Sequence, residues 1–449
     1  MQWFHGLATR EYLDDYPSQL FNMSEPHPEA QLTIRQVLTR YPGFRRLWQA
    51  RLCSLLGDWF NTLALFAMLR ELNCNTPAII GVMYILKLIP MFLLSPAAGV
   101  LADRFNRVNI MIVSDVLRCL MVLCFFLMPL FPSQAPTITL TLVFFQACIG
   151  AFFEPAKIAV MPNLIPLNGL MAANALSSVS WSICYAIGTA LGGAMTYAFG
   201  WRVVIGLDAL SYIVSAALIL KIGYKQAKRP KSLPGGGWKK ISGFNDMVDG
   251  FAYLKGHPRT TYILFFKTGL AVAGATEAVF TLLGERVYNW GGRPDLGIGT
   301  LLAARAMGTG LGPILGRRFT QGNPEHMRQL MLKMFAFSGC CYLLLAVVQH
   351  PVVAMLCALA GASGSGLVWV FSSVMLQQLV PDQFRGRVFS AELGMTMATM
   401  AASIFCFTRI AEWPGVEITQ LPMGLGLLVL LSGAVLTAFG RHKAIRGKF

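Results

Sequence analysis

The sequence predicts an all-α membrane protein with twelve transmembrane helices in two six-helix bundles. Two observations carry this reading. Of 449 residues, 55% are hydrophobic and only 13% charged, whereas a soluble domain carries about 25% charged residues. A membrane-spanning helix takes about 20 mostly apolar residues, so twelve of them use roughly 240 and leave the remainder for loops and tails. This excludes disorder and argues against a soluble enzyme.

Residues 1–40 are polar, with Glu11, Asp14, Asp15 and Glu25. They hold no apolar stretch of the kind a signal peptide needs, so residues 1–44 read as a cytoplasmic tail. Apolar runs follow near 47–70, 78–102, 109–131, 136–158, 170–198 and 202–221, which make a first bundle over 45–221. A second set near 260–284, 296–317, 328–349, 351–377, 388–411 and 421–440 makes a second bundle over 260–440. Between them the connection 222–259 is basic, and Phe244, Met247, Val248, Phe251 and Leu254 recur in it at helical spacing. It reads as a loop carrying a surface amphipathic helix. Residues 441–449 form a short basic tail.

Lys and Arg set the orientation. Arg45, Arg46, Arg104, Arg107, Lys157, Arg317, Arg318, Arg328, Arg385, Arg387 and Arg441 fall on the side of the N-terminus. The opposite loops hold Arg70, Arg202, Arg286 and Arg293 beside Glu71, Glu285, Asp295, Glu412 and Glu417. Both termini are therefore expected in the cytoplasm, with the protein in the inner membrane. The net charge of +16 then reflects topology and attraction to anionic lipid heads, not nucleic-acid binding. Nine of the ten cysteines lie in apolar runs without metal-ligand spacing, so neither a metal nor a redox role is expected.

Several motifs bear on function. Gly99-Val100-Leu101-Ala102-Asp103-Arg104-Phe105-Asn106-Arg107-Val108 joins the second and third runs on the cytoplasmic side. It resembles the loop signature of the major facilitator superfamily, with Asn106 where a Gly is usual and Val108 where a basic residue is usual. Leu164-Ile165-Pro166 and Leu379-Val380-Pro381 sit before the fifth and eleventh runs, a faint internal repeat. Gly57-Asp58-Trp59, Asp115 with Arg118, Phe152-Phe153-Glu154-Pro155, Ala173-Asn174-Ala175, Asp208-Ala209 and Arg385-Gly386-Arg387 resemble the branch of macrolide efflux, enterobactin-type siderophore export and lysophospholipid transport proteins. The resemblance implies alternating access between two bundles. It also implies a cytoplasmic gate of Gly99, Asp103, Arg104 and Arg107, in which Asp103 docks near Arg385 when the protein faces outward. Gly188-Thr189-Ala190-Leu191-Gly192-Gly193 is similar to an antiporter motif, with Thr189 in place of its Pro. Helix packing is the other reading of those glycines.

A charge at the bilayer centre costs about 2.5–3.5 kcal/mol even on the mild insertion scale. Each intramembrane charge therefore asks for a partner or a function. Asp58 and Lys87, on consecutive helices, suggest a pair that is either a coupling site or a structural bridge. Asp115 and Arg118 are three apart, as an intrahelical salt bridge requires. Glu154 beside Lys157 reads as a gate residue or a solvated helix end. Asp208 lies in the sixth run, and Glu277 in the seventh with Lys267 and Arg305 as candidate counter-ions. Asp58 and Glu277 are the proton-coupling candidates.

The expected function is proton-driven export of an amphipathic small molecule, drug-like or siderophore-like, by a monomer embedded in lipid. A lysophospholipid transporter of the same fold is the alternative. A membrane-embedded enzyme or sensor ranks third, since neither a Gly-Lys nucleotide loop nor a His-x4-Asp acyltransferase motif occurs. No cofactor is expected.

Overall fold

The computed structural model describes residues 32–223, 253–320 and 323–441. Among them every regular element is helical: α1 Ile34–Arg40, α2 Pro42–Glu71, α3 Pro77–Arg104, α4 Arg107–Leu130, α5 Ala135–Leu164, α6 Leu167–Leu220, α7 Pro258–Arg286, α8 Pro294–Thr320, α9 Pro324–Leu345, α10 Pro351–Leu379, α11 Asp382–Ile410 and α12 Leu421–Phe439. Six helices open on proline (α2, α3, α7, α8, α9 and α10), where a missing N–H leaves no hydrogen bond unmade. Side chains cap others. Thr76 accepts from the Ile79 amide at 3.3 Å, and Asn323 accepts from Glu325 at 2.9 Å. Asn106, the departure from the loop signature, accepts from the Val108 and Asn109 amides at 2.9 and 3.3 Å. Its φ is −65°, so the turn into α4 needs no glycine.

Nine helices among the described residues are long and apolar enough to cross a membrane. One of them, α6, runs for 54 residues with a single break at Gly200, where φ is 77° and ψ 162°. That conformation is essentially restricted to glycine, and the gap expected between residues 198 and 202 coincides with it. Trp201, next to the break, is buried and donates its indole N–H to Glu71 at 2.7 Å. Two more helices carry less of the apolar signal. The stretch Pro77–Met91 of α3 is shorter, and α9 carries Glu325, His326, Arg328 and Lys333 in its first half. The amphipathic helix expected over 244–254 lies outside the described residues except for its last two positions.

Helices before the central connection pack mainly on one another, α2 along α6, α3 on α5, and α4 on both α5 and α6. Those after it do the same, with α8 on α10 and α9 on α10 and α12. The two sets meet along α6 against α8 and α3 against α11. On α12, Leu421, Leu425, Val429 and Leu436 are buried while Leu427, Leu431, Val435 and Phe439 are exposed. A helix hydrophobic on both its packed and its open face is what lipid contact requires.

Candidate functional site

Charged side chains inside the helices of the first half form one chain of alternating sign. Lys157 on α5 holds Glu154 at 2.5 Å, and Arg51 on α2 reaches the same carboxylate at 2.8 Å. Arg51 also lies 3.6 Å from Asp58, about 10 Å further along α2. Arg118 on α4 lies 3.9 Å from Asp58 and 2.5 Å from Asp115, whose other oxygen accepts from Ser215 at 2.6 Å. Tyr212 donates to Asp58 at 2.5 Å. Alternation gives every desolvated charge an opposite neighbour, as a buried charge needs. Exposure varies along the chain: the Asp58 side chain, in its middle, is 31% exposed, that of Asp115, at its end, 0%.

The expected Asp58–Lys87 contact does not form. Lys87 donates instead to Thr62 at 2.6 Å, because that hydroxyl stands between α2 and α3 while Asp58 faces α4 and α6 through Arg118 and Tyr212. Asp208, on the second arm of α6, is fully buried. Ser211 approaches one of its oxygens at 3.5 Å, and the other has no hydrogen-bond partner among the described residues. A Cβ on Gly57 would fall 2.4 Å from Asp208 Oδ1, so α2 and α6 can approach there only through glycine.

In the second half Glu277 accepts from Arg305 at 2.9 Å and from Tyr185 at 3.1 Å. Arg305 also donates to Tyr185 at 2.5 Å and to Thr276 at 3.0 Å. Since Tyr185 belongs to α6, this site joins the two halves. The Tyr185 ring stacks on Trp59 at 4.0 Å and meets Trp181 at 5.5 Å. Lys267 is not a partner of Glu277. It pairs with Glu392 of α11 at 2.7 Å, donates to Ser373 at 2.8 Å and lies 4.5 Å from the Trp369 ring. Arg51 and Glu392 were not among the residues expected from sequence. Each is a charge inside an apolar run, and counting every such charge would have found both.

At the Lys/Arg-rich end a cavity of about 280 Å³ opens between α2, α5 and α6. Arg51, Glu154 and Lys157 line it together with Trp48, Leu52, Leu55, Met161 and Trp181. Trp48 donates to Ser180 at 2.8 Å. The opposite end is tied shut. Arg70 of α2 pairs with Asp295 at 2.5 Å and lies 3.8 Å from Glu285, and Asn75 donates to Glu285 at 2.7 Å. Among the described residues, the ion pairs that join the two halves all meet at Arg70.

Of the loop motif, Gly99, Asp103 and Arg104 fall in the last turns of α3. The side chains of Asp103 and Arg104, and that of Arg385, lie outside the described residues. Arg107 is buried and donates to the Ala159 carbonyl at 2.6 Å. The glycines of α6 serve close packing. A Cβ at Gly188 would meet Trp59 at 2.9 Å, one at Gly192 Phe60 at 3.2 Å, and one at Gly193 the Asp295 carbonyl at 2.4 Å. Among the described residues no three His, Cys, Asp or Glu side chains converge as a metal site requires.

Comparison with known proteins points one way. The family described as transmembrane secretion effector matches residues 38–444. The MFS-type transporter YfiS of Bacillus subtilis (strain 168) is 25% identical over 423 residues, 90% of this chain and 94% of that one. The putative bacilysin exporter BacE of the same organism is 23% identical, covering 77% of this chain and 81% of its own. Macrolide efflux protein A of Streptococcus pyogenes is 23% identical, with coverages of 83% and 90%. Among solved structures, a bacterial homologue of the iron transporter ferroportin in its inward-facing state superposes with a TM-score of 0.65 at 14% identity, over 89% of this chain and 99% of that one. The nucleoside transporter NupG gives 0.64 at 12% identity, over 89% and 99%. These two likenesses concern the fold.

Proposed function

The chain belongs to the transmembrane secretion effector family of the major facilitator superfamily, a membrane transporter and not an enzyme, and from that premise we propose that it exports an amphipathic small molecule from the cytoplasm in exchange for protons. The helices support twelve crossings. To the nine long apolar helices the break at Gly200 adds one, because about 80 Å of helix cannot fit a hydrocarbon core about 30 Å thick as a single span. The helices α3 and α9 supply the other two, making six crossings on each side of the central connection. The Lys/Arg-rich end is the cytoplasmic one, with both termini there and the protein in the inner membrane.

One observation carries the export reading. A ladder of partly exposed charges leads from a cavity at the cytoplasmic end toward mid-membrane, while the outer end is latched through Arg70. That is a loading state, open to the cytoplasm. Relatives named for macrolide efflux and bacilysin export accord with the direction. Asp58 and Glu277, the partly exposed carboxylates at mid-depth in the two halves, are the proton-coupling groups. Each is held by an arginine and a tyrosine that protonation of the carboxylate would release. Asp103, Arg104 and Arg107 form the cytoplasmic gate that closes after loading.

Purified protein in liposomes tests this against a panel of macrolide, siderophore and lysolipid cargoes, with and without a pH gradient. Gradient-dependent transport that is lost in Asp58→Asn and Glu277→Gln, and reduced in Asp103→Asn with the protein still folded, is the expected result. Transport that ignores the gradient and survives both carboxylate changes rules out proton coupling. Lysolipid movement alone, without a gradient, favours a flippase.

A further inference from the structure

We propose that the cavity between α2, α5 and α6 is a loading site for amphiphiles with a single negative charge, whose head is read by Arg51 and Lys157 and whose apolar body lies on Trp48 and Trp181. The proposal rests on the export reading above and specifies the cargo class that enters this end.

Charge comes first. The side chains lining the cavity include two cations, Arg51 and Lys157, and one anion, Glu154, with no other ionisable group. The wall thus sets two cations against one anion, in a space where apolar neighbours weaken screening, and the further counter-charge of Arg51, Asp58 at 3.6 Å, lies outside the wall. Donor capacity agrees. A guanidinium offers five N–H donors and an ammonium three. Glu154 takes one contact from each, at 2.8 and 2.5 Å, and Asp58 at 3.6 Å is a looser second partner of Arg51. Of the hydroxyls in the wall, Ser180 accepts from Trp48 and Ser177 donates to the Ala173 carbonyl at 2.9 Å. An arriving group with several acceptor oxygens, a carboxylate, sulfonate or phosphate monoester, meets donors in surplus. An arriving cation meets a single carboxylate, Glu154, which two cations already hold.

The rest of the surface is apolar. Trp48 is fixed by its hydrogen bond, while Trp181 and Met91, 43% and 51% exposed, stand at the rim. At about 280 Å³ the cavity falls just below the usual range for ligand pockets, roughly 300–1,000 Å³. It holds a head and the adjoining part of the body, and the remainder lies against the rim. Arg51 links this site to Asp58, so an anion that draws Arg51 toward itself loosens the Arg51–Asp58 contact without touching Asp58.

Two probes that share one aromatic body separate head from body: 1-anilinonaphthalene-8-sulfonate, a monoanion, and N-phenyl-1-naphthylamine, its neutral counterpart. Binding to the full-length protein in phosphatidylcholine nanodiscs is read as energy transfer from tryptophan. Arg51→Gln and Lys157→Gln should each weaken the sulfonate probe about tenfold, the worth of one charge-assisted hydrogen bond, and leave the neutral probe within about twofold. Glu154→Gln frees both cations and should tighten the sulfonate probe about tenfold, a gain that a folding defect cannot imitate. The proposal is overturned if Glu154→Gln weakens the sulfonate probe, or if the Arg51 and Lys157 changes affect both probes alike. Binding is measured without a gradient, so the two readings fail separately. Charge-selective binding without transport sinks export, and transport with binding indifferent to these three side chains sinks the site.

Discussion

At the scale of single residues, the intramembrane charges differ in exposure, and the proposed coupling groups are among the more open ones. Asp115 and Arg118 are 0% and 5% exposed and sit 2.5 Å apart, so removing Asp115 leaves Arg118, in a dry setting, only its longer contact of 3.9 Å to Asp58. Asp115→Asn should lower stability by about 3 kcal/mol or more, seen as an earlier thermal transition of the purified protein. The double change Asp115→Asn with Arg118→Leu should recover most of the loss; a double variant as unstable as the single one would mean that packing, not charge, dominates there. Asp58, at 31% exposure, should behave in the opposite way, with Asp58→Asn removing coupled transport at little cost in melting temperature. The sequence identified most of these residues as charges in apolar runs, yet misassigned the partners of Asp58. Adjacent helices suggested Lys87, whereas the partners come from Arg51, seven positions earlier on the same helix face, and from Arg118 and Tyr212 on α4 and α6. Periodicity shows which residues share a face; which neighbouring helix that face meets is a tertiary fact that spacing does not encode. Asp115, by contrast, pairs with Arg118 three positions on, as local spacing suggested.

At the scale of elements, hydropathy located the helices well because each needs a long apolar run, and proline and capping residues mark their starts. Hydropathy does not report close approach; Gly188, Gly192 and Gly193 signalled it on α6 without naming the helices they meet. Gly193 and Gly299 bring α6 and α8 so near that a Cβ on Gly193 would lie 2.4 Å from the Asp295 carbonyl. Backbone cannot yield as a flexible side chain does, so Gly193→Val should force the two helices apart, costing about 1–3 kcal/mol and displacing Asp295 from Arg70. A fall in melting temperature together with a longer distance between spin labels on α6 and α8 checks both consequences. Gly200 is a different case. Nothing lies within 4 Å of a Cβ built there, but its φ of 77° is unfavourable for any side chain. Gly200→Ala should cost about 1–3 kcal/mol through backbone strain alone, and a substitution as benign as one at an exposed helical position would show that the break relaxes.

At the scale of the whole molecule, the cavity opens at one end while Arg70 ties α2 to Glu285 and Asp295 at the other, and in the export reading proposed above release requires that tie to part. Removing the cation leaves two carboxylates of the same half facing an empty place, so Arg70→Ala should shift the population toward the outward-open form. Spin labels at the outer ends of α2 and α8 would then move apart, and Arg70→Asp combined with Asp295→Arg should bring them back. The charge of the cargo decides how the membrane potential enters this cycle. One elementary charge crossing 100 mV is worth about 2.3 kcal/mol. A monoanion leaving while one proton enters moves two charges in the same electrical sense, about 4.6 kcal/mol per 100 mV, which sustains a concentration ratio on the order of 10³ without any pH gradient. One-for-one exchange of a monocation with a proton moves no net charge and gains nothing from the potential. Proteoliposomes under a potassium diffusion potential, negative on the loading side and at equal pH on both sides, should therefore accelerate export of an anionic amphiphile steeply as the potential grows. A rate independent of potential would show that the exchange is electroneutral, and with it that the cargo carried outward is not the anion for which the charged wall of Arg51 and Lys157 is built.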